Sequence, residues 1–412
     1  MVLSEDPELY NLIKHEEERQ SQGINLIASE NFTSKGVMEC LGSCLTNKYS
    51  EGYPGKRYYG GNKYIDEIEK LCIKRALQLF NLSEEEWGCN VQPYSGSVAN
   101  LAVYLALLKP GDKLMGLDLP SGGHLTHGFE TSKNKVTASA TYYTSVPYKV
   151  NSEGFIDYNE VEKLAIENSP KLIICGASAY SRDFEYNRFK EIANKVGAYL
   201  MADIAHINAF ISSGLLNNPF EHCDVVTTTT HKALRGPRAG IIFYRKSLEK
   251  HINSAVFPGL QGGPHQNQIA AVAHQLRECT STEFKQYAKQ VLLNAKALAK
   301  CFIELGYDIV TGGTDNHLFL IRVGDGNKVE KMLEECEIFV NKNTVPGDTS
   351  AMKPSGIRIG TCAITTMGMK EEDMVIVANF IHLIIKGDKS VDKNSIIDYI
   401  KKLKSVQIKE LN

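Results

Sequence analysis

The sequence predicts an α/β fold in which a mostly parallel large-domain sheet is covered by helices, with a smaller C-terminal α+β unit and an N-terminal helical arm. Apolar, strand-like runs occupy residues 172–175, 199–203 and 225–230, with helical patterns between them. Continuous apolar strands separated by helices are typical of a parallel sheet that is buried on both faces. The run at 240–244 follows the third strand at once, so we expect it to lie beside that strand.

The other elements follow from periodicity and stop signals. An amphipathic helix is predicted over residues 4–22 with Ser4 as its N-cap. This arm is too thin to fold alone, so we expect it to pack on another subunit. A long helix is predicted over 283–305 with Gly306 as its stop, followed by a strand over 318–323. Further helices are predicted from about residue 35 and over 101–108, 189–196, 328–336, 371–385 and the tail beyond 386.

The length of the chain predicts its division into domains. Its 412 residues exceed the size at which one hydrophobic core keeps growing. We predict an N-terminal arm over residues 1–45, a large domain over 46–280 and a small C-terminal domain over 281–412.

Composition excludes several classes of protein. With 43% hydrophobic and 23% charged residues the chain is typical of a globular protein, and its formal net charge of −2 gives no attraction for nucleic acid or an anionic membrane. No run of about 18 apolar residues is present, and the N-terminus lacks secretory and transit features. Ten cysteines form no Cys-x-x-Cys pair, so neither a disulfide framework nor a metal site is predicted. These features favour a cytoplasmic protein.

One lysine suggests a chemical function. The β-branched run 225–230 leads to His231 and Lys232, just before a bend at Gly236 and Pro237. Burying a lysine disfavours its charged form, and the neutral amine can attack a carbonyl to form a Schiff base. The carbonyl of pyridoxal 5'-phosphate (PLP) is the obvious candidate. A surface lysine at the end of a strand is the commoner explanation when this residue is taken alone.

PLP needs more than a lysine, and the sequence offers a candidate for each further requirement. Asp203 ends an apolar strand and could hold the pyridinium nitrogen, or serve only as a helix N-cap. Residues 94–100 place small residues at a predicted helix N-terminus, which suits a phosphate. His124, in a glycine-rich bend, could stack on the ring or be a surface histidine.

Two further residues have alternative explanations. His206, one helical turn after Asp203, could support the phenolic oxygen of the cofactor or the substrate. Arg358 lies between β-branched residues on a short strand, where a guanidinium needs an anion. That anion is either a substrate carboxylate or an internal salt bridge. The loop 49–61 holds four tyrosines, which favours a binding site over a plain linker.

Five separated motifs, in order, resemble the serine hydroxymethyltransferase family, PLP enzymes of the aspartate-aminotransferase fold type. The motifs are residues 25–31, 49–61, 95–100, 122–128 and 227–237, and the likeness runs from about residue 26 to 366. The resemblance implies a PLP-dependent transferase fold. It also implies a hydroxymethyltransferase that passes the hydroxymethyl carbon of L-serine to tetrahydrofolate, giving glycine and 5,10-methylenetetrahydrofolate.

The resemblance also implies how the cofactor is held. Lys232 carries PLP as an internal aldimine, Asp203 pairs with the pyridinium nitrogen, and His124 stacks on the ring. The remaining implied cofactor contacts are Ser178 and His206 near the phenolic oxygen, Gly96, Ser97 and His231 at the phosphate, and Tyr49, Gly262 and Gly263 at the phosphate of the neighbouring subunit. The protein is therefore expected to be a homo-oligomer, a homodimer or a homotetramer, with active sites shared between subunits.

Substrate contacts are implied in the same way. Arg358 takes the amino-acid carboxylate with Ser29 and Tyr59 nearby, and Thr229 eases the exchange of substrate for lysine. Glu51 is the proton-transferring acid near the serine hydroxyl and folate. The positions that match folate contacts are Tyr58, Leu119, Leu125 and Asn343.

Other functions stay open from the sequence alone. A folate-independent threonine-type aldolase has the same fold, although Glu51, Tyr58 and the stretch 341–343 favour folate. A catalytically silent scaffold is disfavoured because every chemical position is intact. A secondary RNA-binding role has no support from the charge.

Overall fold

The computed structural model describes residues 2–348, 350 and 352–410, in which fourteen strands and fifteen α-helices are found. The strands are β1 (Ile24–Asn25), β2 (Gly52–Tyr53), β3 (Lys56–Arg57), β4 (Trp87–Asn90), β5 (Lys113–Leu117), β6 (Thr144–Tyr148), β7 (Leu172–Gly176), β8 (Tyr199–Asp203), β9 (Val225–Thr229), β10 (Gly240–Arg245), β11 (Leu318–Arg322), β12 (Ile338–Phe339), β13 (Asn341–Asn343) and β14 (Gly356–Gly360).

The predicted helices are found, with bounds that differ by a few residues. They are α1 (Pro7–Gln22), α2 (Lys35–Leu41), α3 (Lys63–Leu79), α4 (Gly96–Leu107), α5 (Ala138–Tyr142), α6 (Tyr158–Asn168), α7 (Tyr186–Val196), α8 (Asn208–Ser212), α9 (Glu249–Ser254), α10 (Gln266–Glu278), α11 (Thr282–Glu304), α12 (Gly326–Glu335), α13 (Cys362–Thr366), α14 (Glu371–Lys386) and α15 (Lys393–Glu410). None of the described helices combines the length and the apolar character needed to cross a membrane.

A seven-stranded sheet forms the centre of the molecule, in the order β4-β10-β9-β8-β7-β5-β6. Five neighbouring strands, β9, β8, β7, β5 and β6, are parallel. Strand β10 runs antiparallel to both β9 and β4. Every residue of β7 and of β9 is buried, as expected for a sheet covered on both faces. The predicted fold class, and the predicted position of β10 beside β9, are confirmed.

The register of the parallel strands brings the predicted chemical residues to one edge. Gly176 pairs with Asp203, and Asp203 pairs with Thr227 on the next strand. Since β8 ends at Asp203 and β9 ends at Thr229, the residues that follow both strands emerge side by side. The amino end of α4 lies at the same edge, because the Gly240 amide donates to the Pro93 carbonyl (3.0 Å). Ligands of such sheets bind at this carboxyl edge.

The predicted N-cap of the first helix is wrong. Ser4 lies in a short 3-10 turn, Leu3–Glu5, and the side chain of Asp6 caps α1 by accepting from the Leu9 amide (3.3 Å). Pro7 is the reason, because its fixed φ and missing N–H suit the first helical position and so place the cap one residue earlier.

The long helix α11 contributes to two of the hydrophobic cores. Phe284 and Val291, in its first half, belong to the core around the large sheet. Leu298 and Phe302, in its second half, belong to a core with β11, β14 and α14. Ile24 joins this second core because β1 pairs with β12. The domain bounds at residues 1–45, 46–280 and 281–412 stay a prediction.

The position of Ile173 at the centre of the sheet predicts a large loss of stability on truncation. The residue is fully buried in β7, so Ile173→Ala should lower the free energy of unfolding by about 2–5 kcal/mol through lost burial and the cavity left behind. Ile166→Ala is the matched control, since Ile166 is 56% exposed and its change should stay within about 0.5 kcal/mol. Denaturant unfolding of both variants measures the difference, and equal losses would contradict the assignment of β7 to the core.

Candidate active site

A cavity of about 140 Å³ lies at the carboxyl edge of β7, β8 and β9. It brings together most of the residues predicted to hold a cofactor. Its lining consists of Ser95, Gly96, Ser97, His124, Ala177, Ser178, Asp203, Ala205, His206, Thr229, His231, Lys232 and Arg238.

Lys232 is the reactive amine of this cavity. Burial lowers the pKa of its ammonium to about 8, with Arg358 and Arg238 acting in the same direction and Asp203 opposing them. Its Nζ donates to the Thr229 hydroxyl (3.2 Å), and its backbone carbonyl accepts from the Asn31 side chain (3.0 Å). A substantial neutral fraction is therefore present near pH 8, which is the form that can attack a carbonyl.

Asp203 is an ionised carboxylate in the same cavity. Burial alone would raise its pKa, but hydrogen bonding and attraction from His127 and hydrogen bonding from Asn100 outweigh burial and lower it. Its Oδ2 accepts from Asn100 Nδ2 (2.9 Å) and from His127 Nε2 (3.0 Å). The second carboxylate oxygen accepts from the Ala205 amide (3.1 Å). Such an anion suits a protonated ring nitrogen, as predicted.

His124 lies beside Asp203 as a neutral ring. Burial lowers its pKa to about 4, and its Nδ1 lies 2.7 Å from the Thr126 hydroxyl. His124, His127 and Asp203 place potential metal ligand atoms within 4.8 Å of one another. Asp203 and His127 are already hydrogen-bonded to each other, however, so this group is explained without a metal.

The start of α4 forms a cradle for an anion. Ser95 caps the helix without a side-chain hydrogen bond to it, and the next residue is Gly96. A Cβ at Gly96 would lie only 2.6 Å from the Thr229 side chain, so a larger residue would close the cradle. His231 faces this region with a buried Nδ1 that has no hydrogen-bond partner among the described residues. Burial lowers the pKa of His231 to about 3.

Arg358 is a buried cation, only 9% exposed. Its Nε donates to Asn341 (2.8 Å) and its Nη1 to the Ser178 carbonyl (2.6 Å), and within the described part of the chain no carboxylate pairs with it. Burial lowers its pKa to about 10, so it stays charged at neutral pH. The predicted alternative of an internal salt bridge is wrong for the described residues, since both partners are neutral oxygens.

These residues fit PLP. An amine, a carboxylate and a neutral flat imidazole line one cavity, together with a helix N-terminus and a buried histidine nitrogen that lacks a partner. They match the reactive aldehyde, the ring nitrogen, the ring face and the phosphate of the cofactor, respectively.

A larger, more open cavity of about 690 Å³ adjoins the first, and the two share His124, Ser178, His206, His231, Lys232 and Arg238. The larger cavity adds residues predicted to meet the substrates, namely Ser29, Leu119, Leu125, Asn343 and Arg358. An amino acid bound at Arg358 would thus lie between Lys232 and an open chamber wide enough for a second substrate.

The remaining predicted site residues form a separate cluster on the surface. The Tyr49 hydroxyl donates to Glu51 (3.0 Å), and the Tyr49 and Tyr59 rings meet edge to face at 5.0 Å. Gly263 packs against Tyr49, and Gly262 lies next to Glu51. Tyr58 lies against Phe257 and is 75% exposed. None of these residues lines either of the two cavities within the described chain.

Sequence reasoning missed residues that orient the site. His127 and Asn100 hold Asp203, and the Asn31 amide joins the Lys232 carbonyl to the Tyr287 hydroxyl (2.7 Å). All three occur inside motifs that were recognised for other residues. The sequence does indicate Asn100, because it is a polar residue near the start of an otherwise apolar helix.

Comparison with known proteins identifies close relatives. The profile of the family described as serine hydroxymethyltransferase matches residues 2–381. The cytosolic serine hydroxymethyltransferase of Oryctolagus cuniculus is 56% identical over 397 residues, covering 92% of this chain and 82% of that protein. Serine hydroxymethyltransferase 3, chloroplastic, of Arabidopsis thaliana is 56% identical over 387 residues, covering 91% and 73%. The serine hydroxymethyltransferase of Plasmodium falciparum (isolate 3D7) is 54% identical over 384 residues, covering 91% and 87%.

The surroundings of Lys232 predict its reactivity as a function of pH. In the cofactor-free chain, reductive methylation of Lys232 should rise with pH with a midpoint near 8, because only the neutral amine reacts. Mass spectrometry of the Lys232 peptide after brief labelling at a series of pH values measures this midpoint.

Two variants test the cause of this lowered pKa. Arg358→Met removes a cation and should raise the midpoint, whereas Asp203→Asn removes an anion and should lower it. The same labelling midpoint in both variants would contradict this electrostatic explanation of the lowered pKa.

Proposed function

This chain belongs to the serine hydroxymethyltransferase family, and from that premise we propose that it transfers the hydroxymethyl carbon of L-serine reversibly to tetrahydrofolate. The products are glycine and 5,10-methylenetetrahydrofolate, and the cofactor is PLP. The observation that carries the proposal is the shared cavity system, in which Lys232, Asp203 and Arg358 meet next to an open chamber. When bound, PLP supplies an electron sink that allows bonds at the α-carbon of the amino acid to break.

Lys232 and its neighbours prepare the cofactor end of the site. The lowered pKa supplies a neutral amine near physiological pH, and the Thr229 hydroxyl holds that amine in position. Asp203 stays ionised, so it can hold a proton on the ring nitrogen and keep the ring electron-poor. His124 is neutral and can lie against the ring without opposing that charge.

Arg358 orients the amino acid. Its guanidinium has five N–H groups, and the two oxygens that it contacts leave donors for a substrate carboxylate. Because the group is buried, an ion pair formed here is screened less by water and salt than one on the surface. Ser29 lines the same chamber and supplies a further polar contact.

The chamber beyond Arg358 suits a flat, partly polar ligand such as folate. Leu119 and Leu125 provide apolar surface, and Asn343 provides an amide at the far side. Tyr58 and Glu51, the other residues proposed to serve folate and proton transfer, lie outside the chamber of their own chain.

The surface cluster supports an active site that is shared between subunits. Tyr49, Tyr58 and Tyr59 are 54%, 75% and 50% exposed, an unusual amount of aromatic surface for one loop of a monomer. In a two-fold symmetric oligomer this loop and the Gly262-Gly263 turn of one subunit would complete the cavity of the other. A homodimer is the smallest assembly that does so, and a homotetramer would contain two such pairs.

A cytoplasmic location is proposed as well. All ten cysteines are free and six of them are buried, which suits a reducing compartment. The relatives include a cytosolic and a chloroplastic protein, so the family itself does not decide the compartment.

The proposed reaction predicts that serine cleavage depends on folate and on Glu51. Product glycine should form rapidly with tetrahydrofolate and only slowly without it. Glu51→Gln should keep the visible absorbance of bound PLP but lose at least about a hundredfold in folate-dependent turnover, the usual contribution of a general acid or base.

The control for this substitution is the exposed Glu304. Glu304→Gln, at the end of α11 with a side chain that is 63% exposed, should leave turnover unchanged. Serine cleavage at full rate without tetrahydrofolate would indicate an aldolase instead. Full activity in Glu51→Gln would reject the role of Glu51.

Shared active sites predict complementation between two inactive variants. Lys232→Gln and Glu51→Gln each disable every site of their own oligomer. When the two chains are co-expressed and pair at random, half of the dimers are hybrids in which one site keeps both residues, so about a quarter of wild-type activity should return. No recovery in verified hybrids would show that Glu51 serves its own chain.

A further inference from the structure

A chain of buried hydrogen bonds runs from the active site to the amino-terminal segment through a histidine that the proposed mechanism does not use. His206 Nδ1 lies 3.3 Å from His317 Nε2, which in turn lies 3.2 Å from the Ala28 carbonyl oxygen. His206 is 6% exposed and His317 is fully buried. Two imidazole nitrogens in direct contact cannot both present a lone pair to each other, so one of them must carry a proton and the other must accept it.

The carbonyl of Ala28 decides that arrangement. A carbonyl oxygen only accepts, so the His317 nitrogen that faces it, Nε2, must carry the proton. The other nitrogen of His317, Nδ1, is buried without a hydrogen-bond partner among the described residues. An unpaired N–H in such a place would be rare, so Nδ1 is the unprotonated nitrogen. Burial lowers the pKa of His317 to about 3, and the ring therefore carries a single proton at neutral pH.

His206 must then accept the hydrogen bond. With the His317 Nε2–H shared between the Ala28 oxygen and His206 Nδ1, the proton of neutral His206 lies on its own Nε2. His206 also stays neutral, because burial and the nearby cations Lys232 and Arg358 lower its pKa. Its ring lines both cavities of the site, so this single tautomer presents an N–H donor there.

The ring of His317 is held firmly enough to impose this choice. It stacks with His206 at 5.5 Å between centroids and with Phe210 at 5.4 Å. Its backbone carbonyl accepts from the Thr361 amide (3.0 Å), and β11 begins at the next residue, Leu318. His317 therefore connects three parts of the chain. It stacks on Phe210 of α8, immediately precedes β11 and is hydrogen-bonded to the segment around Ala28.

We propose that His317 is a positioning residue that locks His206 in the Nε2–H tautomer, so that His206 donates a hydrogen bond to an anionic oxygen bound between Lys232 and Arg358. Which oxygen that is, a phenolic oxygen of the cofactor or a carboxylate oxygen of the amino acid, rests on the proposed function. The tautomer itself does not, since it is set by groups of this chain alone.

The test reads the tautomer directly. Full-length protein labelled with ¹⁵N-histidine is studied by long-range ¹H–¹⁵N correlation spectra, with and without bound PLP, and the His206 signals are assigned by their loss in His206→Asn. The expected result is a protonated Nε2 and an unprotonated Nδ1 on His206. A His206 ring protonated at Nδ1 in the unsubstituted protein would overturn the proposal, whatever the catalytic activity is.

Two variants separate positioning from simple packing. His317→Gln keeps an N–H donor near the same place and should retain the tautomer of His206. His317→Leu fills similar space without a donor and should produce a mixture of tautomers, with a fall of about tenfold in kcat/KM for serine, the factor for losing one hydrogen bond.

The outcomes decide between these roles as follows. Equal spectra in the Leu and Gln variants would overturn the proposal, and so would loss of the tautomer in the Gln variant. If His317→Leu does not fold, the unsubstituted protein and His317→Gln still decide the matter. If the unsubstituted protein shows the predicted tautomer but no folate-dependent cleavage of serine, the proposed function is wrong and the positioning role stands.

Discussion

The burial of the basic groups of Lys232 and Arg358 near the carboxylate of Asp203 is the constraint on which the rest of the site depends. Lys232 and Arg358 both lie at the edge of the large sheet, and Asp203 is the carboxylate that opposes them. Asp203 is kept ionised by hydrogen bonds from His127 and Asn100, although burial acts against its charge. Removing charge from water is costly, so a bound ligand that carries anionic groups would stabilise these buried basic groups.

The same constraint explains the state of the three histidines in the cavity. Burial lowers the pKa values of His124, His206 and His231, so that all three are neutral rings at physiological pH. Neutral imidazoles can stack on a ring or donate a single directed hydrogen bond without adding to the positive charge. Which nitrogen carries the proton is then decided by the groups behind each ring. For His206 that group is His317, whose Nε2 lies 3.3 Å from His206 Nδ1.

A second constraint separates the loop around Glu51 from the cavity. The loop is anchored within its own chain, because Arg57 donates to the carbonyls of Ser50 (2.9 Å) and Gly52 (2.7 Å) and forms an ion pair with buried Glu69 (2.6 Å). Three of its four tyrosines, Tyr49, Tyr58 and Tyr59, are nevertheless exposed. An anchored loop with exposed aromatic side chains is pre-ordered for contact with another surface, which supports the proposal that a second subunit receives it.

The sequence by itself determined the fold class and most of the chemistry. Strand-helix alternation predicted the parallel sheet, and Asp203 and Lys232, placed by the sequence at or just after strand ends, line one cavity at its carboxyl edge. These features depend on local patterns and on the rule that parallel strands end at one edge, so a sequence carries them. The cap of α1 at Asp6 is also a local feature, because Pro7 occupies the first helical position.

Only the tertiary structure decided which residues support the site from behind. His317 lies 111 positions from His206, and Asn100 lies 103 positions from Asp203, so no spacing along the chain predicts these contacts. Tertiary structure likewise showed that Arg358 is bonded to neutral oxygens, and that the loop of Glu51 lies outside the cavity of its own chain. The physical reason is that burial and protonation depend on what the fold places around a group, and those neighbours come from distant parts of the chain.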